Sequence, residues 1–419
     1  MSQALAMYID GRLVGHLYDQ HPLAFEYTSE CLSGLLSTQL TRVIALRAGK
    51  ISTPAVHAYF ENLLPEGDQR RALEDQHHVT SVFGLLSVAG GDTAGAVVLE
   101  PMQSQGDRPS YRKHTWEQIA QMIAGNGVQV ASAKASVSGA QFKILLSIDQ
   151  KDGAPLLPVG STASTHILKP DIKRVGQKIW ASAINETIIM RAAKKCDLRV
   201  ASVDYQPTVH SCLVQRYDRI NVGGLVQRLN QFDLCQLLET PSDVKYEADG
   251  GPSFTQCYKK IKASSSNPLK DCDSVLKWLF FNLYIGNNDT HAKNLSMLVS
   301  KDEFRLAPFY DLMCTSVYTG FSNNFAFKVG ATFKPGEMTS IDLLQLAASL
   351  DVSDRYLLKI SKDMAQLIIP AIDESINELQ DSFSPTEKLM AQRLTREVSK
   401  LCKKRSQKFS ANEPRLMVR

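Results

Sequence analysis

Hydrophobic and polar positions follow different spacings in three parts of the chain. In the first part, short apolar runs flank Asp10-Gly11, a dipeptide that supplies the positive φ of a tight turn, so residues 7–17 predict a β-hairpin. The spacing of apolar residues predicts a helix over 54–76, and a mostly apolar run at 93–99 predicts a buried strand. We therefore expect the first part of the chain to mix helices and strands.

The middle part of the chain predicts strands before and after one helix. Residues 142–149 and 165–170 read as strands, residues 185–198 have helical periodicity, and residues 208–218 predict a further strand. A loop of small residues, 136–141, precedes the first of these strands. This order of elements is typical of a small lobe that holds a nucleotide.

The last part of the chain, from Gln231 onward, has a mostly helical pattern that includes an apolar helix at 274–286. Between the first and middle parts, residues 101–110 are polar and rich in turn formers, which indicates a domain edge. The expected domains are residues 1–125, 126–219 and 220–419.

Composition and charge narrow the class of protein only slightly. A hydrophobic content of 44% and a charged content of 21% are ordinary for a globular chain, and a net charge of +4 indicates no particular partner. The eight cysteines include no C-x-x-C pair, which speaks against a zinc ribbon or redox dithiol and favours a reducing compartment. With no signal-peptide pattern and no apolar run long enough for a bilayer, we expect a cytoplasmic protein with no membrane contact.

Three polar residues in the helical part have the spacing of a kinase-type site. Asp289 is followed five positions later by Asn294, and Asp311 comes seventeen residues after that Asn. In protein kinases an Asp accepts the proton of the substrate hydroxyl, while the Asn and a second Asp hold Mg²⁺ on ATP. The usual His-Arg before the first Asp and Phe-Gly after the second are missing. From spacing alone, a catalytic loop and an incidental polar loop are equally good interpretations.

Upstream residues supply the other parts of such a site in the right order. Lys169 in THILKP is a strand lysine that could reach ATP phosphates, and Glu186, seventeen residues later, could pair with it. The small residues of SVSGAQFK (136–143) would let backbone N–H groups approach phosphate, although the chain contains no GxxxxGK[ST]. Taken singly, the Lys–Glu spacing is easily a coincidence and the loop an ordinary turn. Their order together with the Asp-Asn-Asp set favours phosphoryl transfer.

Several longer segments resemble HipA, the serine/threonine-kinase toxin family of bacterial HipBA toxin–antitoxin systems. SVSGAQFK, THILKP, NNDTHAKN and LAPFYDL resemble its phosphate loop, strand, catalytic loop and metal loop, and LCQLLETPSDVKYEADGGP (234–252) resembles a family segment with no generic kinase counterpart. YFENLLPEG and GDTAGAVVLEP resemble its N-terminal domain. The resemblance implies an α+β fold: an N-terminal α/β domain, then a divergent bilobal protein-kinase-like fold with a β-rich small lobe and an all-helical large lobe.

The resemblance also implies a role for each matching residue. Asp289 would accept the proton, Asn294 and Asp311 would hold Mg²⁺, and Glu186 would form a structural ion pair. Ser136 would be autophosphorylated, and its phosphate would repel nucleotide. The residues implied to contact ATP, with a hinge acting mainly through its backbone, are Ser138, Gly139, Ala140, Gln141, Phe142, Lys143, Lys169, Gln215, Arg216, Tyr217, His291, Ala292, Lys293, Asn294, Tyr310 and Asp311. Phe142 and Gln215 replace the Glu that is common in the family, and neither change removes a catalytic group.

The resemblance therefore implies an ATP- and Mg²⁺-dependent serine/threonine kinase that arrests growth by phosphorylating a translation component such as an aminoacyl-tRNA synthetase. A HipB-like helix-turn-helix antitoxin would neutralise it and carry it to operator DNA. One alternative is a co-repressor with a dead kinase site, but Asp289, Asn294, Asp311 and Lys169 are all retained. A small-molecule or lipid kinase is a weaker alternative, because the same Asp and Mg²⁺ would serve any hydroxyl.

Overall fold

The protein is described by a computed structural model that covers residues 3–102, 110–125, 135–136, 141–173, 176, 178–301 and 303–410. The helices are α1 Ser29–Leu32, α2 Pro54–Glu61, α3 Gly67–His77, α4 Val82–Ala89, α5 Trp116–Ala124, α6 Ser182–Lys195, α7 Leu234–Leu237, α8 Phe254–Ser264, α9 Pro268–Ile285, α10 Ser340–Leu350, α11 Asp354–Leu379 and α12 Pro385–Ser410. The strands are β1 Ala4–Ile9, β2 Arg12–Tyr18, β3 Ala24–Tyr27, β4 Ile51–Ser52, β5 Asp92–Thr93, β6 Val97–Pro101, β7 Ser110–Lys113, β8 Ala135–Ser136, β9 Ile144–Ile148, β10 Pro155–Val159, β11 His166–Pro170, β12 Val203–Gln206, β13 Ser211–Gln215, β14 Arg219–Val222, β15 Leu225–Arg228, β16 Gln231–Asp233, β17 Ser296–Ser300 and β18 Glu303–Leu306.

The chain forms two compact units, each built from several chain segments. The first unit comprises Met1–Pro170, Leu213–Lys245 and Ser296–Ala307, and the second comprises Asp171–Cys212, Tyr246–Leu295 and Pro308–Arg419. The division of the chain into domains at 1–125, 126–219 and 220–419 stays a prediction.

The first unit carries most of the β-structure. An antiparallel sheet has the strand order β4-β3-β2-β1-β6 and begins with the expected hairpin, in which Asp10 and Gly11 have positive φ angles of 51° and 72°. Both residues form the turn, and most residues of β1 and three of the seven on β2 are buried. Strands β16, β17 and β18 form a separate antiparallel sheet.

A further sheet of the first unit contains the strands predicted to hold a nucleotide. It includes the order β13-β11-β9-β10-β7, in which β11 pairs antiparallel with β9. Strand β11 carries Lys169, and β13 ends at Gln215. The short strand β8, which contains Ser136, pairs in parallel with β5 of the N-terminal region, Thr93 lying opposite Ser136.

The second unit is predominantly helical and is centred on α9. The side chains of α9 from Trp278 to Ile285 are almost wholly buried, and this helix packs against α8, α11 and α12. Pro268 at the first helical position and the Asn267 side chain, which accepts a hydrogen bond from the Lys270 N–H, fix the start of α9. A buried helix of this kind gives a rigid base for the loop that follows it.

Most of the expected elements are present, with informative differences. The helix expected over residues 54–76 is divided into α2 and α3, and the stretch from Gln231 onward contains the hairpin β17–β18 as well as helices. The two strands of this hairpin are only five and four residues long, so their pattern is easily missed beside the longer helical segments around them. No helix in the part of the chain that the structure describes is long and apolar enough to cross a membrane.

Candidate active site

The loop that carries Asp289 begins at a sharply defined helix end. Gly286 terminates α9 with a positive φ of 75°. A Cβ at this position would lie 2.5 Å from Ser316 Oγ and 2.7 Å from a methyl carbon of Leu401, so both the backbone angle and the space require glycine. The Gly286 carbonyl accepts hydrogen bonds from Ser316 Oγ at 2.8 Å and Thr315 Oγ1 at 3.1 Å. The direction in which the chain leaves α9 is therefore fixed.

Buried amide and hydroxyl groups hold the first residues of the loop. Asn287 donates through Nδ2 to Asn282 Oδ1 at 2.8 Å, and the Asn288 N–H donates to Thr315 Oγ1 at 2.8 Å. Thr290 Oγ1 donates to the Asn287 carbonyl at 3.0 Å. These side chains are all buried and satisfied within the second unit, so the loop is a rigid element and not a surface turn.

Asp289 lies half-buried in this loop and is contacted through one carboxylate oxygen. Tyr246 donates its hydroxyl to Asp289 Oδ1 at 2.7 Å, and the same aromatic ring meets the His291 ring edge to face at 5.1 Å. The Asp289 N–H donates to Asn287 Oδ1 at 3.4 Å. A partly exposed carboxylate on a rigid loop is suited to accept a proton from a bound hydroxyl.

Asn294 and Asp311 lie side by side after the loop. A short 3-10 turn, Ala292–Asn294, brings the Asn294 Oδ1 within 3.0 Å of the His291 N–H, and Asn294 Nδ2 donates to Asp311 Oδ2 at 3.4 Å. Asp311 is exposed and has a φ of 61°, in the left-handed region that Asp tolerates better than most residues and that recurs at functional sites. Tyr310 donates its hydroxyl to the Lys293 carbonyl at 2.5 Å and ties the two segments together.

This Asp–Asn pair fits a magnesium ion by the chemistry of its donors. Mg²⁺ prefers oxygen ligands and is usually held by one or two protein groups plus phosphate oxygens and water. Asp311 offers a carboxylate, and Asn294 Oδ1 keeps a second lone pair beyond the one that accepts from His291. Among the described residues, no group of three or more His, Cys, Asp or Glu side chains is placed to hold a metal ion.

Residues that sequence reasoning did not pick out anchor the segment that carries Asp311. Asn185 on α6 is fully buried, and its amide group both donates to the Cys314 carbonyl and accepts from the Cys314 N–H, each at 3.0 Å. Phe309 pairs with Val200 in an isolated parallel bridge. An Asn next to a candidate ion-pairing Glu was the available signal for Asn185, because a polar residue on a buried helix face needs a specific partner.

The first unit holds the residues predicted to cover the ATP phosphates. Lys169 is buried near the end of β11, and Gln141 donates through Nε2 to the Pro170 carbonyl at 3.1 Å. Phe142 is partly exposed at 38%. The structure therefore places Gln141 beside the end of the strand that carries Lys169. Ser138, Gly139 and Ala140 lie outside the described residues.

The predicted hinge residue Arg216 has a buried side chain. Its backbone N–H donates to the Thr165 carbonyl at 2.9 Å, and its guanidinium contacts Asp218 at 2.8 Å and the Thr93 carbonyl at 2.7 Å. It also approaches Asp92 at 3.4 Å. These contacts occupy the guanidinium, and the role of the Arg216 backbone in a nucleotide hinge stays a prediction.

Arg216 belongs to a buried charge cluster that we define as Asp92, Arg216, Asp218 and Arg219. Arg219 contacts Asp92 at 2.8 Å and Asp218 at 3.0 Å, and all four side chains are at most 5% exposed. Burial raises the pKa of Asp218, but the charges of Arg216 and Arg219 outweigh it and hold the pKa well below its usual range. The cluster joins the N-terminal strand β5 to the segment 215–219, and nothing in the linear sequence pointed to it.

The predicted residues are distributed over both units. Within the second unit the structure brings together Asp289, His291, Lys293, Asn294, Tyr310 and Asp311. Glu186 is buried on α6 of that unit, and Lys169 is buried in the first unit. The Lys169–Glu186 ion pair stays a prediction.

An Asp and an Asn on one rigid loop beside a second, exposed Asp are the polar groups of a kinase-type phosphotransferase. Two protein families match the chain, the HipA N-terminal domain over residues 5–100 and the HipA-like C-terminal domain over residues 135–372. The chain therefore belongs to the HipA family. The family matches, the similar solved structure and the kinase relative confirm three expectations: a HipA relative, an α+β fold and a protein kinase.

Named relatives agree with the family assignment. A putative kinase, Y4mE, from Sinorhizobium fredii is 32% identical over 80% of this chain and 83% of its own length. The serine/threonine-protein kinase toxin HipA of Shewanella oneidensis is 30% identical over 71% of each chain. Among solved structures, a chain of the Shewanella oneidensis HipA, HipB and operator DNA complex superposes with a TM-score of 0.81 at 26% identity, covering 96% of this chain and 97% of that one.

Proposed function

We propose that this chain is an ATP- and Mg²⁺-dependent serine/threonine kinase that acts in the cytoplasm as the toxin of a toxin–antitoxin pair. The observation that carries the proposal is the rigid loop after α9, in which Asp289 and Asn294 are fixed and Asn294 lies 3.4 Å from Asp311. Membership of the HipA family supports the reaction type. The relative named as a kinase toxin supports the biological role.

In the proposed reaction, Asp289 accepts the proton of a Ser or Thr hydroxyl as the hydroxyl oxygen forms a bond to the γ-phosphorus of ATP. The bond from that phosphorus to the bridging oxygen breaks, and ADP leaves with the electron pair. Positioning contributes most to such a transfer, because the reacting groups need little covalent help from the protein. The fixed backbone of the loop, from Gly286 to Asn294, supplies that positioning.

Asp311 and the Oδ1 of Asn294 are the groups we propose as magnesium ligands. A bound Mg²⁺ would neutralise charge on the ATP phosphates. Further nucleotide contacts are proposed for the remaining residues that match the family pattern, which are Ser138, Gly139, Ala140, Gln141, Phe142, Lys143, Lys169, Gln215, Arg216, Tyr217, His291, Ala292, Lys293 and Tyr310.

We propose Ser136 as a site of autophosphorylation that switches the kinase off. A phosphate there would add a charge of about −1.5 to −2 close to a loop that is proposed to receive ATP phosphates, and like charges repel. The support is the resemblance of SVSGAQFK to the family's phosphate loop and the position of Ser136 on strand β8.

A helix-turn-helix antitoxin of the HipB type is the proposed partner, and operator DNA is proposed to be met mainly through it. The support is the similar HipA chain solved together with HipB and operator DNA. The proposed protein substrate is a component of translation such as an aminoacyl-tRNA synthetase, and this rests on the family resemblance alone.

Replacing Asp289 by Asn tests the proposed function. The variant keeps an oxygen that can accept from Tyr246 but loses the proton-accepting charge, so we expect growth arrest to disappear and Ser136 phosphate to be absent from protein incubated with Mg-ATP. Asp273→Asn is the matched control, because Asp273 also accepts a tyrosine hydroxyl, that of Tyr356, at 2.5 Å on the exposed side of the second unit. Full toxicity of Asp289→Asn would contradict the proposed function.

A further inference from the structure

Tyr246 contacts the candidate catalytic loop at two points. Its hydroxyl donates to Asp289 Oδ1 at 2.7 Å, and its ring stands edge to face, at 83°, against His291 with centroids 5.1 Å apart. Both contacts lie within the second unit. The kinase reaction described above assigns no role to this tyrosine, nor to the segment 234–252 in which it occurs.

The backbone around Tyr246 is fixed independently of the catalytic loop. The Tyr246 carbonyl accepts hydrogen bonds from the Asp249 N–H at 3.0 Å and the Gly251 N–H at 2.9 Å. The turn is closed by Gly250, whose φ of 91° favours glycine. Glu247 Oε2 accepts from the Lys328 N–H at 2.9 Å. The hydroxyl of Tyr246 is thus presented to Asp289 from an anchored turn.

We propose that Tyr246 is a positioning residue for phosphoryl transfer, which holds the Asp289 carboxylate in one rotational state and leaves Oδ2 to accept the substrate proton. This inference rests on the proposed kinase function. The last torsion of an Asp side chain is soft, so an unrestrained carboxylate would sample a wide range of orientations. A hydrogen bond from a neutral donor to a charged acceptor is among the stronger ones in proteins, and it selects one orientation.

Tyr246→Phe tests the inference, because it removes the hydroxyl and keeps the ring against His291. The rate of transfer from [γ-³²P]ATP into the protein itself, measured over a range of Mg-ATP concentrations, separates the maximal rate from the apparent KM. We expect the maximal rate to fall about tenfold to a hundredfold, because a hydrogen bond to a charged group contributes about 1.5–3 kcal/mol. The KM for ATP should change less than about twofold.

Tyr356→Phe is the matched control for the tyrosine change. The Tyr356 hydroxyl, on α11, also donates to a carboxylate, that of Asp273 on α9, at 2.5 Å. This contact lies in the same unit as Tyr246 but at an exposed position. We expect this variant to keep the wild-type rate. Adding Tyr246→Phe to Asp289→Asn should cause no further loss, because both changes would remove the same function.

Each outcome separates this inference from the proposed function. If Asp289→Asn is inactive and Tyr246→Phe transfers phosphate at the wild-type rate, the positioning role is wrong and the kinase function stands. A higher transfer rate in Tyr246→Phe would mean that the hydroxyl masks the carboxylate. A fall in the thermal midpoint with parallel changes in rate and KM would mean that the tyrosine has a merely structural role. Either result overturns the inference. Wild-type protein that transfers phosphate from Mg-ATP neither to itself nor to any protein of a cell lysate would overturn the proposed function and this inference with it.

Discussion

Asp92→Asn is expected to be among the most destabilising single changes in the first unit. Asp92 is 1% exposed in its side chain and contacts Arg219 at 2.8 Å and Arg216 at 3.4 Å. It also accepts from the Ser164 hydroxyl at 2.6 Å. An Asn at this position keeps the volume but leaves the two buried guanidinium groups with only one carboxylate, that of Asp218.

The expected cost follows from the burial of the cluster. Removing one partner of a buried ion pair costs about 3–5 kcal/mol, because the other partner is left charged and desolvated. For a unit of about two hundred residues, each kcal/mol lowers the thermal midpoint by about 2–4 °C, so a loss of about 10 °C is expected. Differential scanning calorimetry of the purified variant measures it directly.

A surface ion pair of the same unit supplies the control. Asp152 contacts Lys113 at 2.6 Å, but the two side chains are 52% and 49% exposed, so water screens the pair and Asp152→Asn should shift the midpoint far less. Adding Arg219→Met to Asp92→Asn should restore part of the loss, since the double variant no longer buries an excess positive charge. The reasoning is refuted if Asp92→Asn costs no more than Asp152→Asn.

Two further changes test the loop and the nucleotide strands. Gly286→Ala should lower both the thermal midpoint and the phosphotransfer rate, because its φ of 75° is unfavourable for Ala by about 1–2 kcal/mol and the new methyl group would lie 2.5 Å from Ser316 Oγ. The control is Gly223→Ala, which has a similar φ but no atom within 4 Å of the new methyl group and should leave the rate unchanged. Equal effects of the two changes in rate assays would contradict the steric argument. Burial lowers the pKa of His166 to about 4, whereas the same side chain in the unfolded chain has a pKa of about 6.5, so the folded state loses stability as the pH falls below about 6.5. Between pH 7 and pH 5, the free energy of unfolding of His166→Asn, measured in urea, should therefore fall by about 2 kcal/mol less than that of wild type. Identical falls would show that His166 does not titrate in this way.

The sequence predicted those parts of the fold that depend on local patterns. The hairpin around Asp10-Gly11, the strand that carries Lys169 and the helix that ends at Gly286 were all expected, because turn chemistry and the spacing of apolar residues act over a few positions. The break between α2 and α3 was missed, although Pro65 and Gly67 mark it in the sequence, because proline lacks the N–H that would continue the helix and glycine is a poor helix former.

The candidate site was predictable where a motif has fixed spacing, and it was hidden where contacts join distant segments. Asp289, Asn294 and Asp311 could be found because one loop and its neighbour carry them. Asn185, 129 positions from Cys314, and Tyr246, 43 positions from Asp289, could not, because a single sequence does not show which buried polar groups meet. The arginine partners of Asp92 lie more than a hundred positions away, so that cluster too is visible only in the folded chain.

The claim that this loop is the catalytic centre of a magnesium-dependent kinase is tested most directly by the rate at which Asp289→Asn transfers phosphate from [γ-³²P]ATP, beside Asp273→Asn and wild type. Loss of a general base typically costs about 10²–10⁴ in rate. We predict a loss in that range for Asp289→Asn, a wild-type rate for Asp273→Asn, and no transfer by wild type when EDTA removes the Mg²⁺. An Asp289→Asn protein that transfers phosphate as fast as wild type in Mg-ATP, or a wild-type rate that EDTA leaves unchanged, would contradict the account.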